Sequence, residues 1–210
     1  PCGINKYYHF VGGESRQISI CIKFQTSKSA GILRKAVTNF LRNAACGAAD
    51  KEKKTMNYCD LPGTGLRVSR ICLGTMTFGD QLSEADAVEA VAYARERGVN
   101  FFDTADIYFR GSAGTSETIL GTAVKPFRDK IVLATKCGGP MSDDMNDKGL
   151  SRRHVISAVE GSLRRLGTDY VDILYYHFPD PAVSVEDMLI TANDLIRGGK
   201  IRYYGVSNFS

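Results

Sequence analysis

The segment FFDTADIYF, residues 101–109, places two acids and a phenol, Asp103, Asp106 and Tyr108, where an apolar run breaks off. Similar breaks recur down the chain. Lys136 closes VLATK, His177 closes DILYYH, and Ser207 and Asn208 close RYYGVSN. Carboxylate, phenol, ammonium and imidazole all hold and move protons, so gathering them at one place would suit acid–base chemistry on a bound molecule. Singly, each has a plainer reading: an Asp after Phe-Phe as a turn former, a Lys at a strand end as a solvated group, a His in YYHFPD as a hydrogen-bonded packing residue. Solvated ends, however, have no reason to choose Asp, Tyr, Lys and His in turn.

The flanking pattern indicates what presents these residues. From Met56, NYCDLPGTGLRVSRI has two short strand-like arms around Pro62-Gly63-Thr64-Gly65, a hairpin signal. A repeating alternation follows. SRICLG reads as a strand and SEADAVEAVAYARERGV as a helix, capped by Ser83, with Ala87, Val91 and Ala94 on one face and Gly98 as its stop. VNFFDTA is a second strand, and SETILGTAV a short helix with Ser116 as its cap and Glu117 complementing its dipole. KIVLATK is the third strand. The loop CGGPMSDDMNDKGL, a flap or a plain surface connection, leads to Ser151 and a helix lined by Ile156, Val159, Leu163 and Leu166 and ended by Gly167. DYVDILYYH, SVEDMLITANDLIRGG and KIRYYGVSN supply the fourth strand, the fourth helix and the fifth strand. Alternation along a strand sends Tyr175 towards one face of the sheet and Tyr176 towards the other. Asp106 reads as a loop residue bonding nearby backbone amides, and Cys137 as a buried, inert thiol in preference to a redox-sensitive one.

Strands that are apolar on nearly every residue and separated by helices indicate a parallel sheet covered by helices. An open doubly wound sheet of the dinucleotide-binding type should carry G-x-G-x-x-G after its first strand, and LGTMTFGDQ lacks that spacing. The expected fold is therefore α/β, a (β/α)8 TIM barrel with an N-terminal β-hairpin. Such barrels carry their chemistry on the C-terminal rim of the strands, which is where Asp103, Tyr108, Lys136, His177, Ser207 and Asn208 fall. Eight units need about 250 residues, and only five strands and four helices fit between Met56 and Ser210. The expectation is a barrel truncated to about five β/α units with two open edges, unstable or inactive as these residues alone.

The chain divides at Met56. Residues 1–55 carry ten Lys/Arg against three Asp/Glu, whereas 56–210 carry seventeen against twenty. The basicity therefore belongs to the leader and gives no support for nucleic-acid binding by the main domain. SAGILRKAVTNFLRNAA repeats apolar pairs with the period of one amphipathic helix. The leader reads as a disordered or non-native upstream extension, with Met56 as the natural start; the alternative is a basic organelle transit segment. No run approaches the roughly 20 apolar residues of a transmembrane helix, so no membrane partner is expected. Six scattered cysteines have neither the close pairing of a zinc site nor the density of a disulfide scaffold, which leads to a cytoplasmic expectation with no bound metal.

From Met56 onward the chain resembles the aldo-keto reductase family. The resemblance runs through FFDTADIY, SETILG, VLATK, LGTDYVDILYYHFPD and GGKIRYYGVSNFS, in family order and spacing. It implies a (β/α)8 barrel that reduces small-molecule aldehydes and ketones with NADPH, NADH being the alternative. Asp103, Tyr108, Lys136 and His177 then correspond to the family's catalytic tetrad. Ser207 and Asn208, with Asp103, correspond to cofactor-binding residues.

The chemistry suits those roles. Hydride delivery to a carbonyl carbon leaves charge on oxygen, so a proton donor must stand within reach. A phenol, with a reference pKa of about 10, becomes a better donor beside an ammonium; Lys136 would serve, with Asp103 offsetting its desolvation. A neutral His177 would hydrogen-bond the developing oxyanion. Two rivals stand beside this reading. One is a Schiff-base aldolase using Lys136. The other is a nucleotide-binding regulatory or scaffold subunit with little turnover, since some relatives of this family sit on ion channels.

Overall fold

The computed structural model describes residues 3–7, 20–25, 56–109 and 111–209. The element order from Met56 follows the expected alternation. A short antiparallel pair, β3 (Tyr58–Asp60) and β4 (Arg67–Ser69), comes first. Then follow β5 (Ile71–Gly74), α1 (Glu84–Glu96), β6 (Phe101–Asp103), α2 (Thr115–Val124), β7 (Val132–Cys137), α3 (Arg152–Leu166), β8 (Val171–Tyr176), α4 (Val185–Arg197) and β9 (Ile201–Val206). Strands β5 to β9 pair in chain order, each parallel to the last. This is the sheet of a (β/α) barrel as far as its fifth unit.

Local chemistry explains the helix limits. Ser83, Ser151 and Ser184 each sit in extended backbone and accept from the amide three residues on, at Asp86, His154 and Asp187, which satisfies a donor the helix leaves open. Helix α3 ends at Gly167, whose φ of 63° is the left-handed turn that favours glycine. Helix α2 departs from expectation. Its cap is Gly114, at φ 89° and with no side-chain bond, and Ser116 lies inside the first turn. That hydroxyl is buried and engaged with Thr75 and Thr104, so it is committed to tertiary structure.

The two faces of the sheet bury different sets. Towards the helices lie Ile71, Leu73, Phe102, Leu133, Leu174 and Tyr176, packed on Val91, Leu120, Val159 and Ala192. On the inner face Cys72, Phe101, Val132, Ala134, Ile173 and Tyr175 cluster with Leu61, just after β3, and Val68 of β4. Tyr175 and Tyr176 thus divide as alternation requires, and the Tyr176 hydroxyl donates to Met188 O of α4 at 2.7 Å. Helices α2 and α3 approach closely at Gly121, where an added Cβ would stand 2.5 Å from the Leu166 carbonyl oxygen. Backbone cannot yield as a side chain does. Although alanine favours helix by up to about 1 kcal/mol, we expect Gly121→Ala to cost about 1–3 kcal/mol of stability through overpacking. A lowered thermal midpoint checks this; a raised one would mean that the contact is slack.

Residues 1–55 hold two strands that the sequence reading did not anticipate, β1 (Gly3–Tyr7) and β2 (Ile20–Gln25). They pair antiparallel, and β2 lies parallel to β5, so the sheet runs β1-β2-β5-β6-β7-β8-β9. The β5 edge expected to be open is therefore paired, and β1 takes its place as the outer strand of the described sheet. Ile18, Ile20, Ile22 and Phe24 alternate with other residues at the strand period, a signal present in ISICIKF. The leader helix expected over SAGILRKAVTNFLRNAA lies outside the described residues.

Candidate active site

Period-two alternation decides which side chains reach the interior. Phe101 and Ala134 face inward, so Asp103 and Lys136, two residues on, do the same at the upper ends of β6 and β7. His177 continues the phase of Ile173 and Tyr175, and Ser207 that of Tyr203 and Gly205. Backbone pairing extends beyond the strands to hold them: His177 N donates to Cys137 O and Ser207 N to Tyr176 O, both at 2.9 Å. Tyr108 comes by another route. After β6 the chain turns across the rim, with Asp106 N donating to Lys136 O and Tyr108 N to Ala105 O. This brings the phenol back beside Lys136 at the end of β7.

There Lys136 Nζ is the hub. It donates to Asp103 Oδ2 at 2.6 Å, to Thr104 O at 2.7 Å and to Tyr108 Oη at 3.0 Å. Lys136 is 1 % exposed and Asp103 2 %, so a buried ammonium is stabilised by a carboxylate and two neutral oxygens. The same cation lies 4.8 Å from the centre of the Tyr108 ring. His177 meets that ring edge-on at 6.0 Å and stacks on Phe178 at 4.3 Å. Asn208 takes a left-handed φ of 61°, costly for a residue with a Cβ, and donates through Nδ2 to His177 O at 2.8 Å and Ser207 Oγ at 3.1 Å.

All six residues singled out for the rim thus gather at one end of the sheet. The Thr104 carbonyl and the Phe178 ring were not anticipated. A backbone acceptor carries no signature of its own, whereas Phe178 follows His177 directly and was open to view. Two neighbours behave otherwise than expected. Glu117 does lie in the first turn of α2, but it is buried, accepting from Thr135 Oγ1 at 2.5 Å and Arg165 Nε at 2.6 Å. Asp106 is wholly buried, and its carboxylate has no side-chain hydrogen-bond partner, only the adjacent Ile107 amide in a poorly aligned contact. Burial, and then the Glu117 carboxylate, hold its pKa well above the usual carboxylate range. Burial likewise pushes the Cys137 thiol up, in keeping with an inert side chain. The loop after Cys137 is closed at its base. Gly149 N donates to Gly138 O at its base, and Leu150 N to Asp180 Oδ2.

The Aldo/keto reductase family model matches residues 70–210. The chain belongs to that family. A probable voltage-gated potassium channel subunit beta of Arabidopsis thaliana is 41% identical over 161 residues, covering 74% of this chain and 47% of that protein. The aldo-keto reductase YhdN of Bacillus subtilis is 37% identical, covering 74% and 48%. Among solved structures, the aldo-keto reductase AKR11C1 from Bacillus halodurans, in its holo form, superimposes with a TM-score of 0.66 at 33% identity, covering 73% of this chain and 51% of that one. The chain spans about half the length of the curated relatives it matches. Among the described residues no His/Cys/Asp/Glu group could hold a metal ion, and no helix is long and apolar enough to cross a membrane.

Proposed function

We propose that the protein is an NAD(P)H-dependent reductase of small aldehydes or ketones in which Tyr108 is the proton donor. The observation that carries this reading is Lys136 Nζ within hydrogen-bond distance of both Tyr108 Oη and Asp103 Oδ2 in a buried pocket. A carbonyl oxygen placed at the phenol would gain a proton as it gains charge, and the adjacent ammonium stabilises the phenolate left behind. Asp103 keeps that ammonium charged and in place. His177, stacked on Phe178 and edge-on to the phenol ring, would orient the substrate oxygen and donate to it.

The cofactor assignment rests on the polar groups beside His177. Both donors of the Asn208 amide are used internally, which directs its Oδ1 acceptor and the Ser207 hydroxyl to a carboxamide, the group a nicotinamide carries. When bound, the nicotinamide supplies the hydride. NADPH is favoured over NADH by family membership. A cytoplasmic location is the reading favoured by cysteines scattered singly along the sequence. A Schiff-base role for Lys136 is disfavoured, because its three acceptors hold it as a buried ammonium and leave no nucleophilic lone pair.

The experiment is cofactor consumption by the full-length protein. NADPH should be oxidised in the presence of simple aldehydes, with alcohol formed in equal amount. A second reading, a nucleotide-binding subunit that assembles with a channel, is favoured by the similarity to the Arabidopsis protein. Tight NADPH binding with negligible turnover across many carbonyls would support it and would sink the reductase reading.

A further inference from the structure

Beside the Asp103–Lys136 pair of the active site stand three ionisable groups that proton donation by Tyr108 does not use, Glu117, Arg165 and Asp106. Glu117 of α2 pairs with Arg165 of α3, and Asp103 pairs with Lys136 of β7. These are two acids with two bases. Asp106, in the loop between β6 and α2, is the third acid and has no base left. It is fully buried, its carboxylate oxygens have no side-chain hydrogen-bond partner, and the adjacent Ile107 amide stands close enough only for a weak, poorly aligned contact. An ionised carboxylate in that state costs far more than a neutral one, so such groups keep their proton.

We propose that Asp106 carries a proton in the folded protein at neutral pH and that, in this neutral form, it positions the loop presenting Tyr108. Its backbone is already committed to that task through the Asp106 N to Lys136 O bond, two residues before the phenol. The groups facing the carboxyl account for its state. Glu117 opposes ionisation, as burial does; Arg165, the Ile107 amide and Lys136 favour it without prevailing. The Cys137 thiol beside it is also held neutral, so it adds no charge.

The linkage has a definite sign. Between the ordinary Asp value, about 3.9, and the folded value, the unfolded chain binds fewer protons than the folded one, so stability falls as pH rises. Above the folded value Asp106 ionises next to Glu117, and the loop loses its hold on Tyr108. Asparagine keeps the shape without the titration.

The test compares wild type with Asp106→Asn in the full-length protein. A wild-type infrared spectrum at pH 7 should contain a protonated-carboxyl stretch that Asp106→Asn lacks. Within the linkage window, the wild-type unfolding constant should rise relative to the variant's by about tenfold per pH unit. Asp106→Ser, which opens a small cavity, should show the same pH trend offset by a constant loss. For the consequence at Tyr108, which rests on the function proposed above, the alkaline limb of turnover should lie at higher pH in Asp106→Asn than in wild type. A carboxylate band in place of the protonated one, or a stability difference that does not change with pH, overturns the proton assignment; superposed turnover profiles overturn the positioning role. Should neither protein turn over, the functional reading fails, while the infrared and unfolding results still decide the state of Asp106.

Discussion

Tyr108→Phe is expected to lower carbonyl reduction by the full-length protein by roughly a hundred- to ten-thousand-fold, the range that one positioned proton donor supplies, while NADPH affinity stays essentially as it was. The substitution is unusually clean here. Only the hydroxyl is lost; the ring keeps its edge contact with His177. Lys136 keeps Asp103 and the Thr104 carbonyl as acceptors, so no buried charge is stranded. Stability should therefore change little, which separates loss of chemistry from loss of fold. The checks are steady-state turnover with a simple aldehyde, NADPH titration by fluorescence and thermal unfolding, run side by side. Unchanged turnover would remove Tyr108 from the reaction. A large fall in both cofactor affinity and thermal midpoint would mean that the phenol is a packing group.

How much of this could be read from the chain depends on the range of the interaction concerned. The five parallel strands were legible because strands covered on both faces must be apolar throughout, and VLATK or DILYYH can hardly be anything else. The rim residues were legible because each breaks such a run at its carboxyl end. Alternation then carried Asp103, Lys136 and His177 inward without any long-range knowledge. Side-chain partners were another matter. Glu117 was read as a helix-start acid, and its place in the first turn is right, yet it is spent on Thr135 and on Arg165, 48 residues away. Ser116 looked like a cap by residue type, but Thr75, 41 residues earlier, takes the hydroxyl, and the turn is left to Gly114. Asp106 reads as a loop residue bonding nearby backbone amides, and the Ile107 amide is near it, but its complete burial is a tertiary fact that the local pattern does not carry. In the leader, the strand-period alternation of ISICIKF is short beside a strong basic bias, and pairing with β5 is a contact that composition does not report.

The second large effect concerns the hub itself. Lys136→Met removes the ammonium but leaves Asp103 at 2 % exposure without its ion-pair partner, and stranding one member of a buried pair costs about 3–5 kcal/mol. Loss of turnover alone would not distinguish a catalytic hub from a broken fold, so the informative measurement is a double-mutant comparison. Asp103→Asn in the Lys136→Met background removes the stranded charge, and the double variant should recover much of the lost stability in denaturant unfolding. Activity should not return, because the phenol still lacks the cation 3.0 Å away that stabilises its conjugate base. Recovery of both would mean that Lys136 acts only through folding. No loss of stability in the single variant would mean that water reaches Asp103 once the lysine is gone, and that the pocket is wetter than its burial implies. The pairing of restored stability with absent turnover is what a buried ion pair serving a proton donor requires, since the charge that costs most to bury is also the one that makes the phenol useful.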